Sequence, residues 1–267
     1  MNSMIKNISV KTFIWALILF VSFQAAIYAN IVIDRSNATN GLVTIRHTAP
    51  PDRDIRIVVD RDGRRATYPL RGAGPHVVPL QFGTGSYTIS VVEGVGGGRF
   101  RPLQSETFTV NNINEQSMFT ASSIMVNFAA STVAMPYYRV LTGPQTGQAK
   151  VSTIHRHIIE NFDYDFELAR SVQAGYIPVI DAVFNARQGI CFDYAVLFAG
   201  ALRDQGVPAR LVMGYAPGVD EFHAWNEVLI DGNWVVIDTT VDAQLFAAGR
   251  PVTMARNAAQ FRVVRFY

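Results

Sequence analysis

Three observations predict an α+β protein made of a small N-terminal β-sandwich followed by a mixed α+β domain. Short apolar runs alternate with turn residues from Ile31 to about Val110. The polar stretch "NNINEQS", residues 111–117, breaks that rhythm. Beyond it the apolar spacing becomes helical, and strand patterning returns around "EFHAWNEVLIDGNWVVIDTT". The expected organisation is therefore a leader over residues 1–29, a β-sandwich domain over 30–112 and a second domain over 113–267.

The leader has the build of a secretory signal. Lys6 and Lys11 supply a positive start, an uncharged apolar run extends from Phe13 to Phe23, and the small-residue stretch "QAAIYA" suits cleavage after Ala29. The apolar run is short for a membrane span, although Ile27 is bulky for its place before the cut, which leaves an uncleaved anchor as the alternative. Both outcomes put the protein outside the cytoplasm, secreted or associated with the cell envelope. Without the leader's two lysines, 21 basic side chains face 21 acidic ones. A balance of zero argues against nucleic-acid partners and against a polybasic membrane-surface module, and the remaining chain carries no integral membrane span.

Within residues 31–110 the runs "GLVTIRH", "DIRIVVDRDGRRATYPL", "HVVPLQF", "GSYTISVVEGVGGGRF" and "SETFTV" read as five to seven strands. Asp62-Gly63 lies between two β-rich runs, the pattern of a two-residue hairpin, and "GVGGGR" makes a looser one. The "DRDG" segment lacks the glutamate that a calcium loop requires, and glycines 96–98 lack the strand-to-helix setting of a phosphate loop.

After the break, "QAKVSTIHRHIIENF" places Val151, Ile154, Ile158 and Phe162 on one helical stripe. His155 and His157, two apart, point away from each other and cannot share a metal. No His, Cys or carboxylate pair elsewhere has zinc-site spacing, so neither a metal nor another cofactor is expected.

Cys191 is the only cysteine in the chain. An exported protein ordinarily pairs its cysteines, so a single one is a reactive thiol, an intermolecular bridge or an inert buried residue. The run "FDYAVLFAGALRDQGVP" that follows reads as a helix stopped at Gly206 and closed by Pro208, with Gly189 expected to turn the chain just upstream. Cys191 then sits in the first helical turn, where unpaired N–H groups and the helix dipole favour a thiolate.

Downstream, "ARLVMGYA", "EFHAWNEVLI" and "NWVVIDTT" read as a strand and a hairpin turning at Asp231-Gly232. With that loop, Ile230 faces Asn233, and the register carried outward sets Trp225 opposite Asp238 and His223 opposite Thr240. His223 and Asp238 become diagonal neighbours on one face, at roughly 5.5–8 Å between backbones. The carboxylate can hold one imidazole nitrogen and leave the other for a nucleophile. Trp225 and Trp234, on the same face, are expected to be core and groove walls.

Together, "GICFDYA", "GVPARLVMGYA", "HAWNEV" and "NWVVIDTT" closely resemble the core of the transglutaminase-like superfamily over about residues 145–240. The resemblance implies a papain-like fold and a triad in which Cys191 is the nucleophile, His223 the general base and acid, and Asp238 the residue that orients the histidine. The upstream aromatic that helps to stabilise the oxyanion in animal transglutaminases has no clear counterpart, with Tyr164 of "NFDYDF" the nearest in place.

The expected function is an exported thiol enzyme acting on amide bonds of protein or peptide substrates through a thioester, by hydrolysis or by transfer to an amine. Lys150 is the only lysine beyond the leader. Scarcity of primary amines would suit a cross-linker that avoids modifying itself, although nucleotide bias explains the excess of arginine more simply. The competing function is a non-catalytic surface-binding or adhesion protein that keeps the same fold as a scaffold.

Overall fold

The computed structural model describes residues 30–48, 53–72 and 74–267; the expected leader over 1–29 lies outside them. Mixed helix and strand make it an α+β protein. No helix among the described residues is long and apolar enough to cross a membrane.

Two antiparallel sheets form the first part. One has the order β1 (Val32–Asp34), β2 (Leu42–His47), β5 (Gly74–Pro79), and the other β4 (Arg64–Leu70), β3 (Ile55–Arg61), β6 (Gly85–Gly94), β7 (Phe100–Val110). Alternation drives their packing: Ile55, Ile57 and Val59 of β3 are buried, as are Tyr87, Ile89 and Val91 of β6. Ile57 lies opposite Val91 and Val59 opposite Ile89, while Val43 and Ile45 of the smaller sheet join the same core. The β3–β4 hairpin closes at Asp62-Gly63, both with positive φ, as the sequence requires.

The strands stop at Val110, and helix α1 (Glu115–Thr120) starts five residues later. Asn114 caps it by accepting from the Ser117 N–H at 3.1 Å, which explains the polar "NNINEQS" segment. Two helices, α2 (Ala134–Thr142) and α3 (Gly147–Asn161), follow. Val151, Ile154 and Ile158 form the buried stripe of α3. Then come β8 (Asp163–Tyr164), α4 (Phe166–Ser171), α5 (Ile180–Ala186), β9 (Gln188–Gly189) and the central helix α6 (Cys191–Arg203). A four-stranded antiparallel sheet ends the chain: β12 (Asn233–Ile237), β11 (His223–Ile230), β10 (Ala209–Tyr215) and, from the tail, β13 (Arg262–Phe266) at the edge. Helix α7 (Thr239–Ala247) follows β12 directly.

Helix α6 is almost wholly buried and lies against this sheet. Asn226 of β11 pins it there, donating from Nδ2 to the Ala195 carbonyl at 3.0 Å and to the Arg210 carbonyl at 3.1 Å. The opposite sheet face carries Trp225 against Val212 and Val236. Trp234 is not a groove wall: Arg210 stacks on it at 3.8 Å and Phe119 meets its ring edge-on.

One apolar core runs from Ile33 to Tyr267 through both parts. At their junction the buried Arg203 donates to the carbonyls of Ala209 (2.7 Å), Tyr267 (2.8 Å) and Ala121 (3.2 Å). The rings of Tyr68, on β4, and Tyr267 meet edge-on beside it, 5.2 Å between centroids.

Candidate active site

Helix α6 begins at Cys191 because of what precedes it. The carboxylate of Asp193, in the third helical position, reaches back to accept from the Ile190 N–H at 2.8 Å. Its other oxygen accepts from the Tyr176 hydroxyl at 2.6 Å. Burial raises the Asp193 pKa above the usual carboxylate range, against the opposing pull of these two donors. Neither residue stood out in the sequence, although an acid three residues after a helix boundary is half of a capping box.

The expected turn at Gly189 takes another form. The left-handed residue is Arg187, with φ 55°, and Gly189 lies in β9, paired in parallel with Tyr164 of β8. A Cβ on Gly189 would stand 2.6 Å from Cβ of Asp193, so glycine is required for this close approach rather than for turning. The pairing places Tyr164 beside the thiol. Burial raises its phenol pKa, and negative charge at Cys191 adds to the rise.

The hairpin turns at Asp231-Gly232 as expected, with Ile230 opposite Asn233 and the register unbroken to Asn226 opposite Ile237. Beyond that, the expected pairings of Trp225 with Asp238 and of His223 with Thr240 do not form. Strand β12 ends at Ile237, and Asp238 becomes the N-cap of α7, accepting from the Val241 N–H at Oδ1 (3.1 Å). The cap leaves Oδ2 free for the imidazole, and His223 Nε2 meets it at 2.9 Å. Both residues are buried.

With Nε2 committed to Asp238, Nδ1 is the nitrogen left to face sulfur, and Cys191 is near enough to help raise the His223 pKa. Cys191 itself is partly exposed. Burial disfavours a charge on His223, yet the hydrogen bonds and charges of Asp238 and Cys191 outweigh it and push the imidazole pKa up to about 10. The ring of Trp225 stacks along His223, 6.4 Å between centroids, on the side expected for it. The arrangement gathers a carboxylate, an imidazole and a thiol at the start of a buried helix, able to hold a proton on the imidazole near the sulfur.

The other histidines go elsewhere. His155 is buried and holds Asp242 of α7 at 2.8 Å, with Arg256 on the other carboxylate oxygen. His157 lies against Tyr138 and Arg187, and burial, then the arginine charge, lowers its pKa to about 4. Among the described residues, no group of three or more His, Cys, Asp or Glu is placed to hold a metal ion.

Residues 137–239, which contain Cys191, His223 and Asp238, match the family model described as "Transglutaminase-like superfamily". A stretch of 101 residues is 31% identical to the kyphoscoliosis peptidase of Mus musculus, covering 34% of this chain and 15% of that protein's length. Among solved structures, the periplasmic domain of TgpA from Pseudomonas aeruginosa is similar at 18% identity, covering 82% of this chain and 93% of its own, with a TM-score of 0.35. Red sea bream transglutaminase is similar at 13% identity over 79% of this chain and 53% of its own, with a TM-score of 0.36. Over residues 137–239, the chain is similar to the transglutaminase-like superfamily, and it spans only a small part of the length of the curated relative that it matches.

Proposed function

We propose that this is an exported thiol enzyme that attacks amide bonds of protein or peptide substrates, with Cys191, His223 and Asp238 as its catalytic triad. Residues 113–267 carry the chemistry in this reading, and residues 30–112 assist in holding the substrate. The leader-like residues 1–29 support export. The observation that carries the reading is the buried His223 imidazole held by Asp238 Oδ2 at 2.9 Å near Cys191, with its pKa raised to about 10.

At neutral pH the imidazole keeps its proton, and the nearby sulfur serves as the nucleophile in its thiolate form. The thiolate attacks the amide carbonyl carbon, a C–S bond forms, and the carbonyl electron pair moves to oxygen. The backbone N–H of Cys191, at the first helical position and without an intrahelical acceptor, donates to that oxyanion. One such donor is worth about 3 kcal/mol in the transition state. Collapse expels the amine, which takes the proton from His223 and leaves a thioester. Neutral His223 then removes a proton from the incoming acceptor, whose oxygen or nitrogen bonds to the thioester carbonyl carbon; the C–S bond breaks, and the thiolate and imidazolium return together. Because Cys191 is partly exposed, water reaches the thioester, and hydrolysis is favoured over transfer to an amine.

Iodoacetamide tests the centre directly. Cys191 should alkylate at neutral pH much faster than a model thiol, and the rate should fall in His223→Ala. A thiol that labels only after denaturation refutes the enzyme and leaves the scaffold-like binding protein. With a glutamine-containing casein and a fluorescent primary amine, amine incorporation that is lost in Cys191→Ala would show transfer, whereas cleavage or ammonia release without incorporation would show hydrolysis.

A further inference from the structure

Beside the proposed triad lies a cleft of about 730 Å³ between the β3–β4 sheet, the loop before α5 and strand β13. Cys191, His223 and Asp238 do not line it, but residues that adjoin or hold their elements do. Phe192, which follows Cys191, lines it, and so does Tyr176, whose hydroxyl holds Asp193 in the first turn of α6. Arg265 lines it too, and its guanidinium stands 5.2 Å above the ring of Phe222, the residue before His223.

Four arginines and one acid, Asp54, line this cleft. Arg56 is matched by Asp54 in a two-pronged pair at 2.9 Å, and Arg53 by the buried Glu93. Arg71 and Arg265 have no carboxylate partner among the described residues, and both are exposed. Arg71 reaches toward the thiol side by lying on Gly175, where a Cβ would stand 2.9 Å from its Nη2. Gly175 adjoins Tyr176, so this cation sits one residue from the group that positions α6. Two unmatched cations, Arg265 over the ring of Phe222 and Arg71 on Gly175, near an amide-attacking centre, fit an anion on the substrate itself.

We propose that this cleft receives a carboxylate of the peptide substrate, held by Arg71 and Arg265, so that amides near an Asp or Glu side chain or a chain's C-terminal carboxylate are chosen over neutral ones. The proposal rests on the amide-attacking function above, and the test separates the two. Three rhodamine-labelled peptides share one neutral sequence: one has an amidated end, one adds an internal Glu to it, and one has a free C-terminal carboxylate. Binding to the full-length Cys191→Ala protein is followed by anisotropy, and turnover by the unsubstituted protein on the same peptides.

At least one carboxylate peptide should bind about fivefold tighter than the neutral one, the order expected of partly exposed ion pairs. The advantage should shrink with added salt, disappear in R71Q/R265Q and persist in R156Q/R250Q, which removes the same charge from exposed sites elsewhere. Which peptide gains identifies the source of the carboxylate. Equal binding of all three, an advantage that survives R71Q/R265Q, or one lost equally in R156Q/R250Q overturns the proposal. Carboxylate-selective binding without turnover would refute the amide-attacking function and leave the subsite standing; turnover of all three peptides at equal kcat/KM would do the reverse.

Discussion

Asp238 performs two tasks with its two oxygens, capping α7 with Oδ1 and holding His223 with Oδ2. Asparagine caps a helix about as well as aspartate but carries no charge, so substitutions separate the tasks. Asp238→Asn should lower kcat/KM by at least about a hundredfold while leaving the cap in place. Asp238→Ala should lose similar activity and, in addition, about 1 kcal/mol of stability in urea unfolding. Equal melting behaviour of the two variants would refute the capping role. His223 makes a second prediction at this scale, one of pH. Its folded-state pKa of about 10 lies above the ordinary 6.5, so the stability it contributes is complete below about pH 6.5 and is lost as pH rises through about 10. The urea midpoint of the native protein should therefore decline across that window, with a shallower decline in His223→Gln.

Helix α6 and the β11–β12 hairpin bring the thiol and the imidazole together, and most of both elements was legible in the sequence. The hairpin was readable because Asp231-Gly232 permits one tight turn, which then dictates every pairing from Ile230 to Asn226. Extrapolation failed one residue further on, at Trp225 and Asp238, where a capping side chain competes with the ladder and ends the strand; local pairing rules do not contain that competition. The supports of α6 were less visible. Tyr176 reaches Asp193 across 17 residues, and the closeness of Gly189 to Asp193 is a packing fact that spacing alone does not reveal. Gly189→Ala forces Cβ into Asp193 and should cost about 1–3 kcal/mol, with displacement of the helix start. Slower iodoacetamide labelling of the still-folded variant would register that displacement; an unchanged labelling rate would show that Asp193 does not set the position of Cys191.

At the scale of the whole molecule, Arg203 ties the end of α6 to the first residue of β10, to the chain after α1 and to the last residue of the sequence. Burial lowers its pKa to about 9, and the three carbonyls lose their donor if it is removed. Arg203→Met should destabilise the fold by about 2–4 kcal/mol in chemical denaturation, and a loss under 1 kcal/mol would show that water replaces these bonds without penalty. The same C-terminal region leaves the large sheet with an open side. Among the described residues strand β13 has a neighbour only in β10, and Val263 and Val264 are exposed along it. A short apolar edge of this kind is a template onto which a second molecule can add a strand, and flanking charges are the usual protection. Arg262, stacked 4.0 Å over Tyr215, and Arg265, over Phe222, bracket the two valines. Two copies meeting at this edge would bring like charges together, so these arginines oppose edge-to-edge zipping of one molecule onto another.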